Sequence, residues 1–148
     1  LLVDAADRLR VAELVDRAGD GQALRERHVG DRRQQRQQFG RLIGEFQSLQ
    51  HRAATLYVDI ELARAALAKA LHTLDTAPAQ AAEAVAVAKA KCGSAATLAV
   101  QEGVQMHGGM GMTDAFDIGL FMKRARVLEE LYGDANFQLD QRALRRGY

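Results

Sequence analysis

The stretch FQSLQHRAATLYVDIELARAALAKALHTL, residues 46–74, sets its apolar side chains at alternating steps of three and four. Phe46, Leu49, Ala53, Leu56, Ile60, Ala63, Leu67, Ala70 and Leu74 therefore share one face of a helix with 3.6 residues per turn. A seam of that length belongs to a long helix packed in a bundle. Downstream, TAPAQAAEAVAVAKAKCGSAATLAVQEGVQM, residues 76–106, opens with Thr76 as a candidate cap and Pro78 in the first turn. Its small side chains predict close approach to a neighbouring helix. A third helix is expected from about Asp117 to Tyr132, with Ile118, Phe121, Met122, Ala125, Leu128 and Leu131 on its apolar stripe and Gly133 as its interruption. A shorter last helix is expected from about Asp134 through ANFQLDQRALRR.

With Pro78 as the only proline and no strand-like alternation, the expected fold is all-α, an antiparallel four-helix up-and-down bundle without a sheet. Residues 1–30 stand apart from this domain, which is read as 31–148. DAADRLRVAELVDRA is amphipathic, but Gly19, Gly21 and Gly30 punctuate the residues after it, so the segment reads as helix, turn, helix.

The chain has 148 residues, 48% of them hydrophobic and 26% charged, which suits a globular domain with a core rather than a disordered segment. No apolar run reaches the ~18 residues a spanning helix needs. The opening LLVDAADRLR carries charges where a signal peptide has its apolar stretch, so a cytoplasmic location is expected. A net charge of +1 gives no gross attraction to nucleic acid, and among the arginines from Arg25 to Arg41 only Phe39 offers an aromatic platform. Those arginines otherwise read as a solvated face. The single cysteine, Cys92, is read as a small buried residue. His51 and His107 are read as structural hydrogen-bonding groups, with no metal expected.

VQMHGGMGMTDAF, residues 104–116, breaks the helical pattern by placing Gly108, Gly109 and Gly111 within four positions. Each glycine costs a helix roughly 1 kcal/mol against alanine, so the cluster ends the helix and serves the loop beyond it. Two readings of the residues stay open at this point. The loop is a helix-to-helix turn, or it is a place where a backbone free of Cβ atoms approaches an anionic ligand. Met106, Met110 and Met112 are packing filler on the first reading and cavity lining on the second.

Arg36, Gln38, Phe39, Gly40, Ile43, Phe46, Gln47 and His51 resemble the R-x-Q-F-G-x-x-I-x-x-F-Q-x-x-x-H signature that opens the C-terminal helical domain of acyl-CoA dehydrogenases. Gln105, His107, Gly108, Gly109, Gly111 and Thr113 resemble the same family's Q-x-H-G-G-x-G-[YM]-T loop, and KRARVLEELYGDA, residues 123–135, resembles its next helix. The resemblance covers residues 31–148. It implies an FAD-dependent oxidoreductase that desaturates an acyl-CoA thioester, with FAD contacted by the positions of Arg36, Gln38, Phe39, Gln47, Gln105, Gly108 and Gly109. It also implies contact across a subunit interface, in a homo-oligomer or with a sister subunit. The physical chemistry agrees: a diphosphate is met by a guanidinium fork or by a row of backbone N–H groups.

The resemblance departs at the catalytic base. Tyr132 stands where many family members carry the glutamate of a Y-E-G-T segment, and tyrosine stays protonated near neutral pH. Glu129, Glu130 and Asp134 are close in sequence but off that position. The family's other location for the base falls near Arg10, with Glu13 close by, and assigns no acid. The base is thus unassigned, and this opens a second reading: a silent oligomerisation subunit, or a fragment, that lacks the base and binds no flavin by itself.

Overall fold

The computed structural model describes residues 36–148, so the expectations for residues 1–30 lie outside the described residues. Two short strands, β1 (Gln37–Gln38) and β2 (Arg41–Leu42), are followed by a 3₁₀ turn over Ile43–Glu45. Four α-helices come next among the described residues: α1 (Gln47–Thr76), α2 (Pro78–His107), α3 (Ile118–Glu130) and α4 (Ala135–Arg145). A 3₁₀ turn, Gly108–Met112, links α2 to the segment before α3. The all-α reading holds, with one difference: the β1–β2 ribbon pairs Gln37 with Leu42 and Gln38 with Arg41. Two-residue strands are too short to show alternation, which is why the pattern of apolar residues gives no sign of them.

The seam packs as its spacing demands. Leu56, Ala63, Ala70 and Leu74 are buried on α1, while Leu49, Ala53, Ile60 and Leu67 are half-buried along the same face. α2 is the hub, packed against α1 on one side and against α3 and α4 on the other. Its buried positions therefore go round the helix rather than down one stripe: Ala81, Ala86, Ala88, Ala90, Ala95, Ala99, Val100 and Met106. Alanine at these places lets three neighbours come close to one axis.

At 30 residues each, α1 and α2 run about 45 Å. A single residue, Ala77 (φ −145°, ψ 66°), joins them. The ring of Pro78 disfavours helical backbone at Ala77, which ends α1, and Pro78 itself starts α2 where its missing N–H costs nothing. Thr76 caps nothing; it is the last residue of α1, and its hydroxyl donates to the His72 carbonyl at 2.8 Å. The Asp134 carboxylate does cap α4, accepting the Phe137 N–H at 2.8 Å.

Ion pairs cross the helix contacts. Lys91 on α2 meets Asp59 on α1 at 2.7 Å, and Arg52 on α1 meets the buried Glu102 on α2. Arg142 on α4 and Arg146 just past its end converge on Glu83, and Arg145 donates to the Ala82 carbonyl at 3.1 Å. The Arg142 guanidinium, followed by Arg146, holds the Glu83 carboxyl below the usual carboxylate range. Cys92 is half-buried with its Sγ 3.8 Å from the Ala63 carbonyl oxygen, and burial pushes its thiol up. Among the described residues no helix is long and apolar enough to cross a membrane.

Candidate functional site

Because α1 and α2 run antiparallel about a one-residue joint, the start of α1 and the end of α2 arrive at the same end of the molecule. The two sequence motifs ride on those ends. Their direct meeting is between Arg36 and Gly108. Arg36 Nη1 donates to the Met106 carbonyl at 3.0 Å, in the last turn of α2. A cation is favoured there, where unpaired carbonyls concentrate negative charge. Gly108 (φ +64°, ψ −149°) lies against the same guanidinium, in backbone space that only glycine occupies readily.

The three glycines serve three ends. A Cβ on Gly108 would stand 2.6 Å from Arg36 Nη1. A Cβ on Gly111 would stand 2.9 Å from both the His107 Cβ and the Val104 carbonyl oxygen, so Gly111 lets the 3₁₀ turn fold back onto α2. A Cβ on Gly109 would meet nothing within 4 Å among the described residues, and Gly109 is exposed. His107 supports the turn from below. It is buried, with Nδ1 2.7 Å from the Gly103 carbonyl oxygen, and since a carbonyl only accepts, that nitrogen carries the proton. Its ring centroid lies 5.2 Å from that of Phe116.

The ribbon presents Phe39. With Phe39 at φ +55° and Gly40 at φ +76°, both turn residues are left-handed, as a two-residue hairpin of the I′ type requires. Left-handed backbone costs a residue with a Cβ about 1–2 kcal/mol. It is held by the strand pairing, by the Ile43 N–H donating to the Arg36 carbonyl at 2.9 Å, and by an edge-to-face contact between Phe39 and Phe46 with centroids 6.2 Å apart. The Arg41 guanidinium covers Phe46 at 4.1 Å. Phe39 is nonetheless 91% exposed. Gln38, Gln47 and Gln105 are exposed on β1, the first turn of α1 and the last turn of α2; the Gly108 N–H donates to the Gln105 carbonyl, but among the described residues no side-chain hydrogen bond joins the three amides to Arg36 or the glycines.

Two features lay outside the sequence reading. The Arg52–Glu102 pair stitches α1 to α2 one turn inside the site: Arg52 Nε and Nη2 donate to Glu102 Oε1 at 3.1 and 3.0 Å. The other is the fate of the acids near Tyr132. Glu129 turns inward, its Oε1 accepting the Ala135 N–H at 3.1 Å and its Oε2 buried against Gly93 without a hydrogen-bond partner. Lys89 Nζ donates to the Glu129 carbonyl at 3.1 Å. Glu130 pairs with Arg126 at 2.7 Å, and Asp134 caps α4. Tyr132, at φ +63°, is exposed at the corner between α3 and α4.

The family model described as acyl-CoA dehydrogenase, C-terminal domain, matches residues 7–145. This chain belongs to that family. Its domain is 45% identical over 96 residues to the acyl-CoA dehydrogenase IpdE2 of Mycobacterium tuberculosis, covering 65% of this chain and 28% of the relative. It is 36% identical over 138 residues to IpdE2 of Mycolicibacterium smegmatis, covering 93% of this chain and 41% of the relative. The chain thus spans well under half the length of these curated relatives. Among solved structures, the ChsE4–ChsE5 complex from Mycobacterium tuberculosis matches with a TM-score of 0.74 and 28% identity, covering 84% of this chain and 35% of that one. Acyl-CoA dehydrogenases are flavoproteins, and the residues of this acyl-CoA dehydrogenase domain suit FAD. Arg36 has spent one of its five N–H donors among the described residues, the Gly109 backbone is open, and Phe39 offers an exposed ring.

Proposed function

We propose that this chain is the C-terminal bundle of an FAD-dependent acyl-CoA dehydrogenase, and that it brings Arg36, the Phe39 hairpin and the glycine turn to a flavin shared with a second subunit. The observation that carries the reading is the convergence of Arg36 and the Gly108–Met112 turn at one end of the α1–α2 hairpin. Arg36 would meet the diphosphate with its remaining guanidinium N–H groups, the Gly109 backbone would line it, and Phe39 would pack against a ring of the cofactor. Gln38, Gln47 and Gln105 supply amides of either polarity at the same end. FAD held by these residues would supply the acceptor for a hydride from Cβ of an acyl thioester.

The companion step, removal of the α-proton, needs a carboxylate in reach of the substrate. This chain's corner gives none: Glu129 is turned against Gly93, Glu130 is held by Arg126, Asp134 caps α4, and Tyr132 is a phenol. The base is therefore assigned to another part of the assembly, and a sister acyl-CoA dehydrogenase subunit fits that need. The same corner favours the second reading, a silent oligomerisation subunit that binds no flavin by itself. Flavin affinity decides between them. In the complete assembly, Arg36→Ala is expected to weaken FAD binding by about 1.5–3 kcal/mol with helix content unchanged, and lysine to rescue only part of it. An assembly that keeps full FAD affinity without Arg36 would refute the cofactor assignment.

A further inference from the structure

We propose that Gly108 is a positioning residue for Arg36, forming the seat of its guanidinium, whereas Gly109 is the glycine left for the cofactor itself. The inference rests on the reading that Arg36 meets the FAD diphosphate, and it separates two adjacent glycines by what a methyl group would touch. At Gly108 a Cβ would stand 2.6 Å from Arg36 Nη1, 2.9 Å from Nη2 and 3.1 Å from Cζ, so the whole planar fork lies on the glycine. The Met106 carbonyl anchors the same fork at 3.0 Å. The backbone at Gly108 (φ +64°, ψ −149°) closes the seat in a conformation a Cβ disfavours. At Gly109 the φ is not positive and, among the described residues, nothing lies within 4 Å of the added atom. A methyl group at 108 acts on the arginine; one at 109 acts only on what approaches from outside.

A guanidinium free to rotate gives up part of its affinity to ordering on binding, whereas one held flat between a carbonyl and a glycine is already aligned for a diphosphate. The seat thus works through Arg36, and removing either member should remove the same interaction.

The test measures FAD affinity in the complete assembly for Gly108→Ala, Gly109→Ala, Arg36→Ala and the two double variants that include Arg36→Ala. Each single variant is expected to weaken FAD about ten-fold or more. In the Arg36→Ala background, Gly108→Ala should add less than about three-fold while Gly109→Ala keeps its full factor, because only the first pair shares an interaction. Gly119→Ala, where an added Cβ also meets nothing within 4 Å but on α3 away from the turn, should leave FAD affinity unchanged. Independent factors for Gly108→Ala and Arg36→Ala, or no loss from Gly108→Ala when Arg36→Ala loses affinity, would overturn the seat and leave the cofactor reading standing. No loss from Arg36→Ala would overturn both. If Gly108→Ala does not fold, a crystal structure of the wild-type assembly with FAD decides: the guanidinium on the Gly108 Cα supports the proposal, and a guanidinium elsewhere ends it.

Discussion

A methyl group at position 93 would collide with the Glu129 carboxylate, whose Oε2 already sits there without a hydrogen-bond partner. Gly93→Ala should therefore cost about 1–3 kcal/mol by overpacking, read as a lower denaturant midpoint. Adding Glu129→Ala should return part of that loss, since the two changes share one contact. Purely additive losses would mean that the notch accommodates the methyl group by some other shift. Gly111→Ala should cost a similar amount, because the His107 Cβ and the Val104 carbonyl at 2.9 Å leave no room. These two glycines differ in how readily they are found in the sequence. Gly111 announces itself by clustering with Gly108 and Gly109, but Gly93 sits in an unbroken helical pattern and owes its identity to a side chain on α3. The contact of Arg36 with Gly108 is likewise invisible to spacing, and the resemblance of the two motifs to one family implied a shared cofactor, not this contact.

Between elements, the pairs that join helices differ in burial and so in weight. Glu102 is 9% exposed and its neutral replacement would strand Arg52, so Glu102→Ala should cost about 1–2 kcal/mol, allowing for the solvent that reaches Arg52. Asp59→Ala, at the more open Lys91 pair, should cost less than about 1 kcal/mol. A reversed order in chemical denaturation would show that helix packing rather than the Arg52–Glu102 pair holds the site end together. At α4, the depressed Glu83 titration sets a pH dependence. A carboxyl whose folded pKa lies below its unfolded value stabilises above the unfolded pKa, near 4.5, and loses that contribution as pH falls through the folded value. Amide protection in α4 should therefore fall more than in α1 as the pH drops below the unfolded value near 4.5, and Glu83→Gln should remove the difference. The long elements were legible because seams of eight turns leave little choice of partner face. The ribbon was not, although Phe39–Gly40 is a two-residue turn, because its flanks Gln37–Gln38 and Arg41–Leu42 are too short to alternate. Thr76 misled because its hydroxyl serves the helix it ends, and Pro78 alone marks the next start.

At the scale of the molecule, the described surface keeps large apolar groups in the open: Phe39 at the hairpin tip, Tyr57, Val58 and Leu62 along α1, and Leu144 and Tyr148 at the end. Where such side chains adjoin, as Tyr57, Val58 and Leu62 do in sequence along α1, they are candidates for contact with another protein or a ligand. Sedimentation in the presence of FAD is expected to give a species larger than one chain, and a strict monomer at high concentration would contradict a shared flavin site. All-α architecture was readable from composition and period; the partner and the base were not, because Tyr132 stands at the position where the family resemblance would place an acid. The single-residue joint at Ala77 carries a further property. Two helices of equal length, folded back from that point, act as a ruler whose far ends must coincide. Removing four residues from α1 alone would draw the Arg36 hairpin about 6 Å away from the glycine turn, whereas removing matched turns from both arms would keep the ends level. Length along this hairpin is therefore free to vary only in pairs.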